Sequence, residues 1–239
     1  MTTSPPIMEK LWKTAANCWQ TGIGKMLTPA NISKGSQTKR TWRPATRFFA
    51  EFVEEVHRRG MRIILDGVFN HCGSFNKWLD RERIYEYAEG YDKGAYVDAF
   101  SPYRSFFHFY NENAWPYNDS YDGWWGHDTL PKLNYERSDK LYEYIMEVAR
   151  KWVSPPYNVD GWRLDVAADL GHSNEYNHRF WKDFRKNVKE ANPDAIILAE
   201  HYGEAGEWLH GDEWDTIMNY DAFMEPITWF LTGYGEAQR

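Results

Sequence analysis

The sequence predicts an α/β fold organised on a parallel sheet, and three observations carry that prediction. Three short apolar runs, at residues 61–68, 159–164 and 195–199, each lead into charged or amide side chains that are costly to bury without partners. Helix-like stretches alternate with these runs, the order expected of a parallel sheet with crossover helices. About 35 residues separate Asp165 from Glu200, room enough for one such crossover. Strand ends that bear polar groups and converge on one point describe an active site at the C-terminal face of a parallel sheet.

At 239 residues, 42% of them hydrophobic, the chain has the size of one ordinary domain with ample core. Eight basic residues against Glu9 make residues 1–47 net +7, so the −7 of the whole chain leaves −14 on the rest. An acidic body argues against nucleic acid as a partner, because phosphates call for a positive surface. Pro5-Pro6 and the absence of a long apolar run predict neither a signal peptide nor a membrane span, so the expected location is cytoplasmic. Cys18 and Cys72 are the only cysteines, too few for a disulfide framework and without a zinc-binding spacing.

Taken in chain order, residues 1–47 scatter their charges among Thr, Ser and Gly and read as a loosely ordered N-terminal segment. From Phe48, the residues Phe48, Phe49, Phe52, Val53 and Val56 recur at helical spacing. Arg58 and Arg59 suit the negative end of the helix dipole, and Gly60 supplies a C-terminal cap. A strand over 61–68 follows, ending at Asn70 and His71. Residues 72–136 are too long for an ordinary connection and predict a subdomain or functional excursion. Their aromatics, Phe100 to Trp125, make a small core, with an exposed minority able to stack on sugar rings.

Ser138 then caps a helix with Leu141, Tyr144, Ile145, Val148, Ala149 and Trp152 on one face, stopped by Pro155-Pro156. In the following strand Arg163 and Asp165 share a face, being two residues apart. A guanidinium beside a carboxylate favours its charged form, which suits Asp165 to the role of a nucleophile. For an isolated pair of this kind, a structural ion pair at a strand end is the commoner reading. A helix within 175–190, the turn Asn192-Pro193-Asp194 and a strand running to Glu200 complete the unit. Residues 214–220 read as one more strand, and 222–231 as a helix interrupted near Pro226.

Three of these stretches, Asp66-Gly67-Val68-Phe69-Asn70-His71, Gly161-Trp162-Arg163-Leu164-Asp165 and Ile196-Ile197-Leu198-Ala199-Glu200, resemble in order and spacing the α-amylase family, glycoside hydrolase family 13. Leu130-Pro131-Lys132-Leu133-Asn134 is similar to the M-P-K-L-N motif of the neopullulanase, cyclomaltodextrinase and maltogenic amylase group. The resemblance begins near residue 48 and implies a partial (β/α)8 barrel over 48–239, about strands three to six, with 72–136 as the inserted domain B. It implies a truncated catalytic domain, because the family's fourth motif and third carboxylate have no counterpart here.

By the same resemblance, Asp165 is the nucleophile and Glu200 the acid of a retaining hydrolysis of α-glucosidic bonds. His71 and Arg163 line the cleft, while Asp66 and Asn70 brace it. The implied ligand is an α-glucan oligosaccharide or a cyclodextrin. No cofactor is expected; Asn70 matches a position that ligates calcium in some members, and no calcium-loop spacing appears. The 239-residue chain is expected to be inactive or weakly active. The alternatives are a noncatalytic glucan-binding or assembly module, a relic without function, or, within the enzymes, an α-glucosidase or transglycosylase. Nothing in the sequence sets the oligomeric state.

Overall fold

The computed structural model describes residues 39–233. In chain order these form α1 (Lys39–Arg58), β1 (Ile64–Gly67), α2 (Asp139–Val153), β2 (Gly161–Leu164), α3 (Asn174–Ala191), β3 (Ile196–Ala199), β4 (Thr216–Ile217) and α4 (Glu225–Thr232). The four strands pair in the order β1-β2-β3-β4, all parallel. This is the α/β architecture with a parallel sheet that the alternation predicts.

The helix expected from Phe48 begins at Lys39, inside the segment expected to be loosely ordered. Residues 1–38 lie outside the described residues. At its other end the Gly60 N–H donates to the His57 carbonyl and the Met61 N–H to that of Val56. Gly60 holds φ at 72°, a conformation glycine adopts without a Cβ penalty. At α2 the Ser138 hydroxyl accepts from the Leu141 N–H at 3.3 Å, satisfying one of the unpaired donors of the first turn. Leu141, Ile145 and Ala149 are buried as the spacing requires, but Tyr144 is exposed, its ring edge-on to Trp78.

One face of the sheet is packed and the other is open. Leu65, Trp162 and Ile197 stand in one row on the helix side, where Trp162 donates its indole N–H to the Ala149 carbonyl of α2. Phe69 and Phe184 join Trp162 there. The alternate residues Ile64, Asp66 and Val68 are exposed, because no described element covers that face. Gly161 allows β2 and β3 to approach, since a Cβ there would stand 2.2 Å from the Ile196 carbonyl oxygen.

Between His71 and α2 the excursion is built from turns, three short 3-10 helices (Arg104–Phe106, Trp124–Gly126 and Tyr135–Arg137) and three isolated bridges, His71 with Lys132, Phe109 with Tyr121, and Gly123 with Pro131. Its core holds Phe106, Phe107, Phe109 and Tyr121, while Phe100, Tyr110 and Trp125 are exposed. The strand expected over 214–220 is short, and a π-helical turn, Tyr220–Met224, precedes α4. Pro226 sits in the first turn of α4, where its missing N–H costs nothing, so the interruption falls before the helix. Among the described residues no helix is long and apolar enough to cross a membrane.

His172 ties the excursion to the loop after β2. Its ring nitrogens lie 3.1 Å from a Glu136 oxygen and 3.2 Å from an Asp122 oxygen. The hydrogen bond to Glu136 raises the His172 pKa, against burial and the nearby Lys132. A histidine whose folded pKa is raised contributes stability below its ordinary value, near 6.5, and loses it as pH climbs through the folded value. Replacing His172 with Gln is therefore expected to speed hydrogen exchange in 72–136 more at about pH 5 than at about pH 8. An effect equal at both, or larger at the higher pH, contradicts this.

Candidate active site

Register brings the site together. Asp66, Arg163 and Leu198 are ladder partners, and the ladder runs one residue past the strands. The Asp165 N–H donates to the Gly67 carbonyl at 3.1 Å, and the Glu200 N–H to that of Leu164 at 2.8 Å. Asp165 and Glu200 thus leave neighbouring strands at their C-terminal ends, on the face that carries Arg163.

Arg163 is the hub. Its Nη1 donates to Asp165 Oδ1 at 2.6 Å and to Asp66 Oδ1 at 2.8 Å, and its Nη2 lies 2.8 Å from Glu200 Oε2. Burial works against this charge, but the hydrogen bonds to Asp66 and Asp165 outweigh it and hold the Arg163 pKa above the ordinary value. The bond to Asp165 follows from their shared face; the reach to Glu200 depends on which strand lies beside β2, which sequence spacing does not encode. Asp66, expected to brace the cleft, keeps 60% of its side chain exposed because β1 is the outer strand of the described sheet.

Glu200 is nearly buried and has four donors around it. Oε2 receives Arg163 and the Val166 N–H at 3.1 Å, and Oε1 faces the hydroxyls of Tyr220 at 3.3 Å and Tyr202 at 3.4 Å. The two tyrosine rings stack with centroids 4.3 Å apart. The contact with Tyr202 raises the Tyr220 pKa to about 12, so the Tyr220 hydroxyl remains a donor at neutral pH. Val166 reaches Glu200 with a left-handed backbone, φ 40° and ψ 49°, unusual for a β-branched residue and of the kind found where strain is stored at functional sites.

His71 is buried, its ring flat over Trp124 at 5.1 Å and 11°. Burial lowers its pKa, partly opposed by the Asp165 charge, so the imidazole is neutral at pH 7. Asn70 Nδ2 lies 3.2 Å from His71 Nδ1; an amide donor there assigns the ring proton to Nε2. The Asn70 Oδ1 is buried without a hydrogen-bond partner. One amide oxygen does not make a calcium site, which takes six or more ligands. No cluster of three or more His, Cys, Asp or Glu fit to hold a metal occurs among the described residues.

Sequence reading passed over Asn177, which stiffens the turn behind Asp165. Its Nδ2 donates to the carbonyls of Ala167, Ala168 and Leu170 at 2.9–3.1 Å, and its Oδ1 accepts the Trp208 indole N–H at 2.9 Å. The signal was available, since Asn177 shares a helical stripe with Phe180, Trp181, Phe184 and Val188, and a polar residue in such a stripe needs partners. Replacing it with Leu leaves several buried polar groups unsatisfied and is expected to cost about 3 kcal/mol in urea unfolding. A loss under about 0.5 kcal/mol would contradict that account.

The family described as Alpha amylase, catalytic domain matches residues 45–231. The cyclomaltodextrinase of a Bacillus species is 35% identical over 195 residues, covering 79% of this chain and 31% of the relative. The intracellular maltogenic amylase of Bacillus subtilis is 38% identical over 180 residues, covering 75% and 26%. Among solved structures, the type III pullulan hydrolase from Thermococcus kodakarensis superposes with a TM-score of 0.56 at 35% identity, covering 72% of this chain and 27% of that one. The chain spans less than a third of the length of these relatives.

Proposed function

Since the chain belongs to the α-amylase family through its catalytic domain, we propose that it serves the hydrolysis of α-glucosidic bonds in starch-derived glucans or cyclodextrins by a retaining double displacement. The observation that carries this reading is the single guanidinium of Arg163 joining Asp165 and Glu200 at adjacent strand ends. In the proposed first step, an Asp165 oxygen bonds to the anomeric carbon as the glycosidic C–O bond breaks, and Glu200 gives its proton to the departing oxygen. In the second, Glu200 takes a proton from water, and the water oxygen displaces Asp165.

His71, neutral with Nε2–H free to donate, is suited to a sugar hydroxyl beside the scissile bond. Arg163 orients Asp165. Arg163 and the Val166 N–H both donate to Glu200 Oε2, so the proton that Glu200 gives in the proposed step is carried on Oε1. The proposed chemistry needs no cofactor, and the proposed setting is the cytoplasm.

The test is a long incubation of the purified chain with maltohexaose and β-cyclodextrin beside Asp165→Asn and Glu200→Gln. The reading expects any product formed to be lost in both variants. Equal product in wild type and variants, or glucan binding with none at all, favours a noncatalytic module.

A further inference from the structure

We propose that Trp125 is a stacking platform for a glucose ring of an α-glucan, at the rim of the cleft beyond His71. This rests on the glucan reading above and extends it to a second binding position. Trp124 lies flat over His71, with its indole N–H fixed to Asp169 Oδ2 at 2.7 Å. The Trp125 ring follows 5.4 Å further on, tilted by 37°. A row of rings therefore leads from the proposed reaction centre to an indole that is 80% exposed.

Core packing does not explain Trp125. It adopts φ 51°, a left-handed conformation that is an outlier for a bulky residue, and it buries little of its surface in return. The loop that presents it is fastened on both sides. The Trp124 N–H donates to Leu130, that of His127 to Trp124 and that of Leu130 to His127, while Gly123 bridges Pro131. An aromatic ring held rigidly in water before its ligand arrives loses little entropy on binding. Beside it lies a cavity of about 430 Å³ with Asp122, Lys132 and Asp169 in its walls. A flat apolar face next to carboxylate and ammonium groups matches a pyranose, which presents C–H groups on its face and hydroxyls around its edge.

The experiment titrates the full 239-residue chain with maltotriose and with β-cyclodextrin, following tryptophan indole N–H signals by NMR. The Trp125 signal, assigned by its loss in Trp125→Asn, is expected to shift on binding. Asn tolerates a left-handed backbone, and at so exposed a position the variant should melt as wild type does. Trp125→Asn is expected to weaken binding about tenfold, Trp125→Phe to recover most of it, and Tyr87→Ala, at an exposed ring outside this row, to change nothing. A Trp125→Asn variant that binds as tightly as wild type, or a wild-type chain that binds neither sugar, overturns the platform. Binding that depends on Trp125 in a chain whose Asp165 never reacts would leave the platform standing and remove the catalytic reading instead.

Discussion

The 239-residue chain, assayed alone on maltooligosaccharides, cyclodextrins and pullulan, is expected to turn over at far below the roughly 1 per second that marks the low end of ordinary enzymes. Glycosidic cleavage depends on groups fixed before the reaction, and misplacement by about 1 Å costs on the order of 10²-fold. Removing one donor that stabilises transition-state charge costs a further 10² to 10³, roughly. Both losses follow from the sheet face that carries Asp66, Arg163 and Asp165, which is open among the described residues and receives no group from its far side there. Together they predict a deficit of about 10⁴ or more against a full-length relative measured beside it. Turnover near 1 per second or faster, abolished in Asp165→Asn, would contradict that deficit.

Replacing Arg163 with Met is expected to be among the most damaging single changes to stability. Its side chain is 22% exposed and holds three carboxylates. Without it Asp66, Asp165 and Glu200 face one another uncompensated, and breaking such a cluster costs about 3 kcal/mol. Arg163→Lys should recover only part, since an ammonium cannot hold several carboxylates in one plane as the guanidinium fork does. A Met variant as stable as wild type in urea unfolding, or a Lys variant that recovers all of the loss, would contradict the role of Arg163 as the hub.

Local chemistry was the legible part of this chain. Ser138 announced the start of α2, Gly60 the end of α1, and Arg163 and Asp165 their shared face, because each depends on residues a few positions apart. What depends on neighbours distant in sequence was not legible. The reach of Arg163 to Glu200 needs the β2-β3 register, and the exposure of Asp66 needs the knowledge that β1 is an outer strand. Tyr202 and Tyr220 share Glu200 only because β4 pairs with β3. The start of α1 was misread because the basic residues before Phe48 mask the helix in composition. Tyr144 follows the apolar spacing of α2, yet spacing alone does not say how wide a stripe its neighbours cover.

The most direct test of the central claim is covalent trapping. A fluorinated α-glucosyl fluoride has a leaving group that departs without a proton, so a glycosyl-enzyme can accumulate even where turnover is slow. Prolonged incubation followed by intact-mass measurement and peptide mapping should find one glycosyl adduct, on Asp165, formed as its oxygen bonds to the anomeric carbon and fluoride leaves. The adduct should be absent in Asp165→Asn and persist in Glu200→Gln. An adduct on another residue, or one that forms equally well in Asp165→Asn, would contradict the assignment of Asp165 as the nucleophile.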